Sequence, residues 1–86
     1  MRILLFGRTN QESFDWAQQY MPKYSMAEVV HVDDGDDRKV RGYEYFLAVL
    51  LSNFSGRTDA REMYDLIFSR PGVLVTVAQY YERKQL

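Results

Sequence analysis

Apolar residues fall in blocks whose internal spacing changes along the chain, and that change predicts the elements. Ile3-Leu4-Leu5-Phe6 is an unbroken apolar run closed by Gly7. Such a run suits a strand covered on both faces of a sheet, so Arg2 to Phe6 is expected to be a central strand. Thr9-Asn10-Gln11-Glu12 has the S/T-x-x-E form of a capping box, in which the hydroxyl and the carboxylate each satisfy an unpaired backbone N–H, and a helix is expected to start there. Phe14, Ala17 and Met21 lie on one face of it with Tyr20 beside them, and Pro22 closes the pattern. Glu28 to Asp33 carries three valines interrupted by His31 and reads as a second strand. The order β-α-β implies a parallel pair joined by a right-handed crossover.

Asp33-Asp34-Gly35-Asp36-Asp37 followed by Arg38, Lys39 and Arg41 changes sign midway and reads as a solvated loop. Tyr43 to Phe54 fits two periods. Tyr43, Leu47, Leu50, Leu51 and Phe54 make a helical stripe, while Tyr45, Leu47, Val49 and Leu51 alternate as a strand would. Its length, with Ala48 and Glu44, favours helix, and Ser52-Asn53 and Ser55-Gly56 provide the stop. Thr58 is expected to cap another helix, with Ala60, Met63, Tyr64 and Ile67 at helical spacing up to Ser69-Arg70-Pro71. Val73 to Gln79 is a β-branched strand, and Tyr80 to Leu86 either continues it or folds back as a short edge strand.

Eighty-six residues, 47% of them hydrophobic, suffice for one folded domain over 1–86 with one small core. A domain of this size buries only about 60% of its unfolded surface, so self-association is an accessible source of further stability. A net charge of −1 argues against a general nucleic-acid binder. The apolar run before Gly7 is too short for a signal-peptide core, and no stretch reaches the length of a membrane span, so a cytoplasmic protein is expected. The chain contains no cysteine, which removes thiol–disulfide exchange from the possible activities because its nucleophile is a thiolate.

Strand, Gly7-Arg8-Thr9-Asn10, helix at one end and Ser69-Arg70-Pro71 before Val73 to Val77 at the other resemble the two redox-site positions of thioredoxin-like chains. Leu5-Phe6-Gly7-Arg8 is similar to the end of the first strand in the glutaredoxin branch. Laid on without a gap, the two cysteine positions fall on Gln11 and Phe14, so the family's redox activity does not carry over. The resemblance implies a small thioredoxin-like α/β domain, β-α-β, helical insert, α-β-β. It also implies a cis Arg70–Pro71 bond whose rim receives an extended segment. If Tyr43 to Phe54 is a strand instead, the order becomes the ferredoxin-like βαββαβ.

Candidate chemistry is limited. Gly7, Arg8, Thr9 and Asn10 at a helix start have free N–H groups and a cation that suit an anion, although the spacing is not that of a Walker loop. Asp33, Asp34 and Asp36 offer oxygens to a hard cation, but Gly35 follows two aspartates rather than standing at the sixth position of an EF-hand loop. His31 is the single histidine, and the serines lack a nucleophile-elbow context. Tyr43, Tyr45, Tyr80 and Tyr81 with Arg70 and Pro71 are residue types that interfaces favour. The resulting expectation is a non-redox, cofactor-free module that binds another protein or its own copy, through Arg70, Pro71, Tyr80 and Tyr81 with Tyr43 and Tyr45. The alternative is a phosphate- or metal-dependent ligand-binding protein or enzyme built on Gly7 to Asn10 and Asp33 to Asp37.

Overall fold

A computed structural model describes residues 2–24 and 27–84, and these form one small α/β domain. Strand β1 (Arg2–Phe6) is followed by α1 (Asn10–Tyr20), β2 (Val29–His31), α2 (Asp37–Arg41), β3 (Phe46–Leu50), a 3-10 turn (Phe54–Gly56), α3 (Ala60–Phe68), β4 (Val73–Val77) and α4 (Ala78–Arg83). The four strands lie in the order β2-β1-β3-β4 and every neighbouring pair is parallel. β1 pairs on both sides, with Ile3 opposite Val29 and Leu47, so its unbroken apolar run follows from having no free edge and no free face.

The pleat divides the core in two. Leu4, Phe6, Phe46 and Ala48 point to the face covered by α2, α3 and the 3-10 turn, where Val40, Phe54, Met63 and Ile67 close over them. Ile3, Leu5 and Val49 point to the opposite face, against Ala17 and Met21 at the end of α1 and Ala78 and Tyr81 of α4. Trp16 joins the two helices on that face: its indole N–H donates to Glu82 at 3.1 Å, and its ring meets Tyr81 edge-on.

Several expectations change. Tyr43 to Phe54 is not a helix, because Phe46–Leu50 is strand β3, bonded to β1 on one side and β4 on the other. Two full ladders of backbone hydrogen bonds outweigh an ambiguous side-chain period. The resulting order is not βαββαβ either, since α2 separates β2 from β3 and β1 lies between them in the sheet. The charged stretch read as a loop contains α2, with Asp37 in its first turn and Arg38, Lys39 and Arg41 in its last, a distribution that complements the helix dipole and stabilises the helix. Beyond Val77 the chain turns into α4, not a further strand, because helical spacing brings buried Ala78 and half-buried Tyr81 together onto the core on the α1 side; Gln85 and Leu86 lie outside the described residues. No cis peptide bond occurs among the described residues, so Arg70–Pro71 is trans and Pro71 simply follows the end of α3.

Candidate functional site

The loops after β1, β2 and β3 meet at the carboxyl ends of the strands, and the residues there are occupied with one another. At their centre is Arg57, 4% exposed. Its Nε donates to Asp59 Oδ1 at 2.7 Å and Nη2 to Asp59 Oδ2 at 3.1 Å. Nη1 donates to the carbonyls of Gly7 and Val32, and Nη2 to that of Asp33. All five guanidinium N–H groups are thereby satisfied, and a buried cation is tolerated because one carboxylate and three carbonyls replace its water. Phe6 and Phe54 each lie 5.8 Å from its central carbon. Asp59 also accepts from the Gly35 amide at 2.7 Å.

The acidic loop is used in a similar way. Asp34 accepts from the Thr58 amide at 2.8 Å, the Thr58 hydroxyl at 2.6 Å and the Asp59 amide at 3.1 Å. It therefore fixes the turn that leads into α3 from a distant segment, whereas Thr58, the expected cap, precedes the N-cap position Asp59 and donates its hydroxyl to Asp34. These hydrogen bonds hold the Asp34 carboxyl below its ordinary value. Asp36 pairs with Lys39 at 3.7 Å. Among the described residues no group of three or more His, Asp or Glu gathers as a metal site, so Asp33, Asp34 and Asp36 do not converge.

At the start of α1, Thr9 accepts from the Glu12 amide at 3.2 Å as expected. The reciprocal half of the box is replaced: Glu12 accepts from Asn53 Nδ2 at 2.6 Å, and Asn53 Oδ1 accepts from the Arg8 amide at 3.0 Å. Gly7, Arg8, Thr9 and Asn10 thus sit together at a helix start, but the acid in its first turn opposes an anion. The Arg8 stem crosses Gly56, where an added Cβ would meet Arg8 Cδ at 3.3 Å.

The residues expected to bind a partner separate into two groups at opposite ends of β4. Arg70 is half-buried: Nη1 donates to Val40 O at 2.6 Å, Nη2 donates to Tyr43 O, and the guanidinium lies over Phe46. It is a brace between α2, β3 and β4. Tyr43 packs against the core on the α3 face. Tyr45 is 69% exposed, and with Glu44, Arg70, Pro71 and Gly72 it lines a shallow hollow before β4. At the other end Tyr81 is half-buried against Trp16, its hydroxyl raised above its usual value first by burial, while Tyr80 is 53% exposed.

Between those ends runs the feature that sequence reasoning missed. β4 is the edge of the sheet, yet its residues are Val73-Leu74-Val75-Thr76-Val77, without charge, proline or glycine. Leu74 is 60% exposed and Val77 48%. Among the described residues no segment pairs with its outer side. Natural edges are normally blunted by lysine, proline or a bulge, as β2 is here, being three residues long with Lys39 on the His31 carbonyl at 2.9 Å. The sequence reads Val73 to Gln79 as a β-branched strand without placing it in the sheet, and an uncharged run of this kind is the same for a central strand as for an open edge. No family model matches this chain, and no curated protein or solved structure shows significant similarity to it.

Proposed function

We propose that this domain is a binding module that receives an extended segment of another protein chain along the open edge of β4. One observation carries the reading: five uncharged residues with unpaired outward backbone groups, Leu74 and Val77 exposed among them and Tyr45 and Tyr80 exposed at the two ends. Strand addition at such an edge takes affinity from main-chain hydrogen bonds and specificity from alternate side chains. The reading is of a non-enzymatic, cytoplasmic module. Support for a binding role also comes from Arg57, Asp59 and Asp34, whose polar groups are engaged in holding the loops together. Kinship with thioredoxin-like chains is kept as a proposal only: the β-α-β start favours it, while the trans Arg70–Pro71 bond and the parallel sheet count against it.

A library of displayed eight-residue peptides, selected on the wild-type domain and followed by amide NMR, tests the reading. Selected peptides should alternate apolar and polar positions, shift the β4 amides and lose binding to Leu74→Lys. Peptides that shift other segments, or that bind Leu74→Lys equally well, would refute it.

A second reading, an anion site at Gly7 to Asn10, is favoured by the Arg8 stem lying across Gly56 at the mouth of the loops. Titration with inorganic phosphate tests it: saturable shifts of Gly7 to Glu12 would support it, and their absence would retire it.

A further inference from the structure

We infer that the strand received by β4 is β4 of a second copy, aligned antiparallel about a two-fold axis at Val75. This rests on the strand-addition reading above and names its partner. A two-fold interface is isologous, so the surface has to complement itself. Val73-Leu74-Val75-Thr76-Val77 is close to a palindrome about its centre. Antiparallel pairing sets Val73 against Val77, Val75 against Val75 and Leu74 against Thr76 of the other copy. One face of the joint becomes a row of valines and the other an alternation of leucine and threonine, pairings that β-ladders favour. No charge meets a like charge along the strand.

The flanks agree with the same axis. Within one chain Tyr45 and Tyr80 belong to opposite ends of β4, a separation of about 17 Å for a strand of this length. Reversing the second strand brings the end of one copy to the start of the other. The Tyr45 ring lies over Gly72, whose added Cβ would meet Tyr45 Cδ1 at 2.8 Å, and Gly72 immediately precedes Val73, which pairs with Val77 of the second copy just before its α4 begins. Tyr45 of each copy is thereby placed beside Tyr80 of the other, twice over. Charge follows: Arg83 and Lys84 line the hollow at the far end of β4 with Tyr80, and Glu44 lines the one before it together with Arg70, whose guanidinium is turned to the Val40 and Tyr43 carbonyls. The axis sets the basic end of each copy beside the acidic residue of its mate.

The chain has no cysteine, so one introduced thiol reports the geometry without interference. Leu74→Cys in each copy would place two thiols diagonally on one face, about 7–8 Å apart, within reach of a short bis-maleimide. Sedimentation equilibrium of the wild type should give twice the 10.2 kDa chain mass. Leu74→Cys should cross-link, Arg61→Cys on α3 should not, and Leu74→Lys should raise the dissociation constant about tenfold or more, since symmetry introduces the change twice. A dimer that links through position 61 and not 74 would overturn the inference. A wild type that stays monomeric at millimolar concentration would overturn it too. In that case, protection of β4 amides by a selected peptide would leave strand addition standing, and its absence would remove both.

Discussion

Arg57 and Asp59 form a two-pronged ion pair inside the protein, with Nε on Oδ1 at 2.7 Å and Nη2 on Oδ2 at 3.1 Å. Because the same guanidinium also holds the carbonyls of Gly7, Val32 and Asp33, it fastens the ends of β1 and β2 to the loop that starts α3. Removing the cation leaves a buried carboxylate and three carbonyls without their donor. Arg57→Ala is expected to cost about 3–5 kcal/mol, a large share of the roughly 5–15 kcal/mol that holds a small domain together. Arg57→Lys should recover little, since an ammonium has three donors where five are used. Urea denaturation checks both. The double variant Arg57→Ala/Asp59→Ala should lose less than the sum of the single losses.

Ser13 and His31 join α1 to β2 on the other face, with Oγ and Nδ1 2.5 Å apart and Ser13 fully buried. Burial, and then Lys39, hold the imidazole below its ordinary value of 6.5. The unfolded chain therefore binds a proton more readily than the folded one, and stability should fall as pH drops through 6.5 toward the folded value. Melting temperatures between about pH 8 and 5 should show this decline, and His31→Asn should flatten it. Ser13→Ala is expected to cost about 1 kcal/mol at neutral pH through the lost hydrogen bond.

Asp34 is held below 3.8 by its bonds to Thr58 and Asp59, so its contribution is present above that value and lost as pH falls through the folded one. Asp34→Asn should lower the melting temperature at pH 7 and remove the matching part of the acid transition. Hydrogen exchange should locate the loss in the first turn of α3, where Ala60 to Met63 begin the helix.

Gly72 has no room for a side chain, because a Cβ would collide with the Glu44 carbonyl oxygen and lie 2.8 Å from the Tyr45 ring. Gly72→Ala should cost about 1–3 kcal/mol and weaken any pairing through β4, since both the strand start and Tyr45 must move. Gly42→Ala is the control: its Cβ would sit 3.5 Å from the Arg38 carbonyl oxygen, an ordinary contact, and the melting temperature should change little.

Much of the fold was legible where signals are local. β1, the Thr9 cap, α1 and the spacing of Ala60, Met63 and Ile67 all rest on residues within one or two turns of each other. Tyr43 to Phe54 was not, because its helical and strand periods coincide, and only the ladders to β1 and β4 select the strand. The candidate site was less legible still. Arg57 looks like any surface arginine until Gly7, fifty residues away, and Val32, twenty-five away, bring their carbonyls to it.

The sequence by itself determined a single α/β domain with a doubly covered first strand, and it excluded thiol chemistry, because apolar runs, caps and a missing element act over short stretches or none. Tertiary structure alone decided that β4 is an open edge, that α4 replaces a last strand and that Asp34 holds the turn before α3. Val73 to Val77 carries the same residues whether it is central or peripheral; which neighbours pair with a strand is settled by the whole chain, since each ladder is made with a segment distant in sequence.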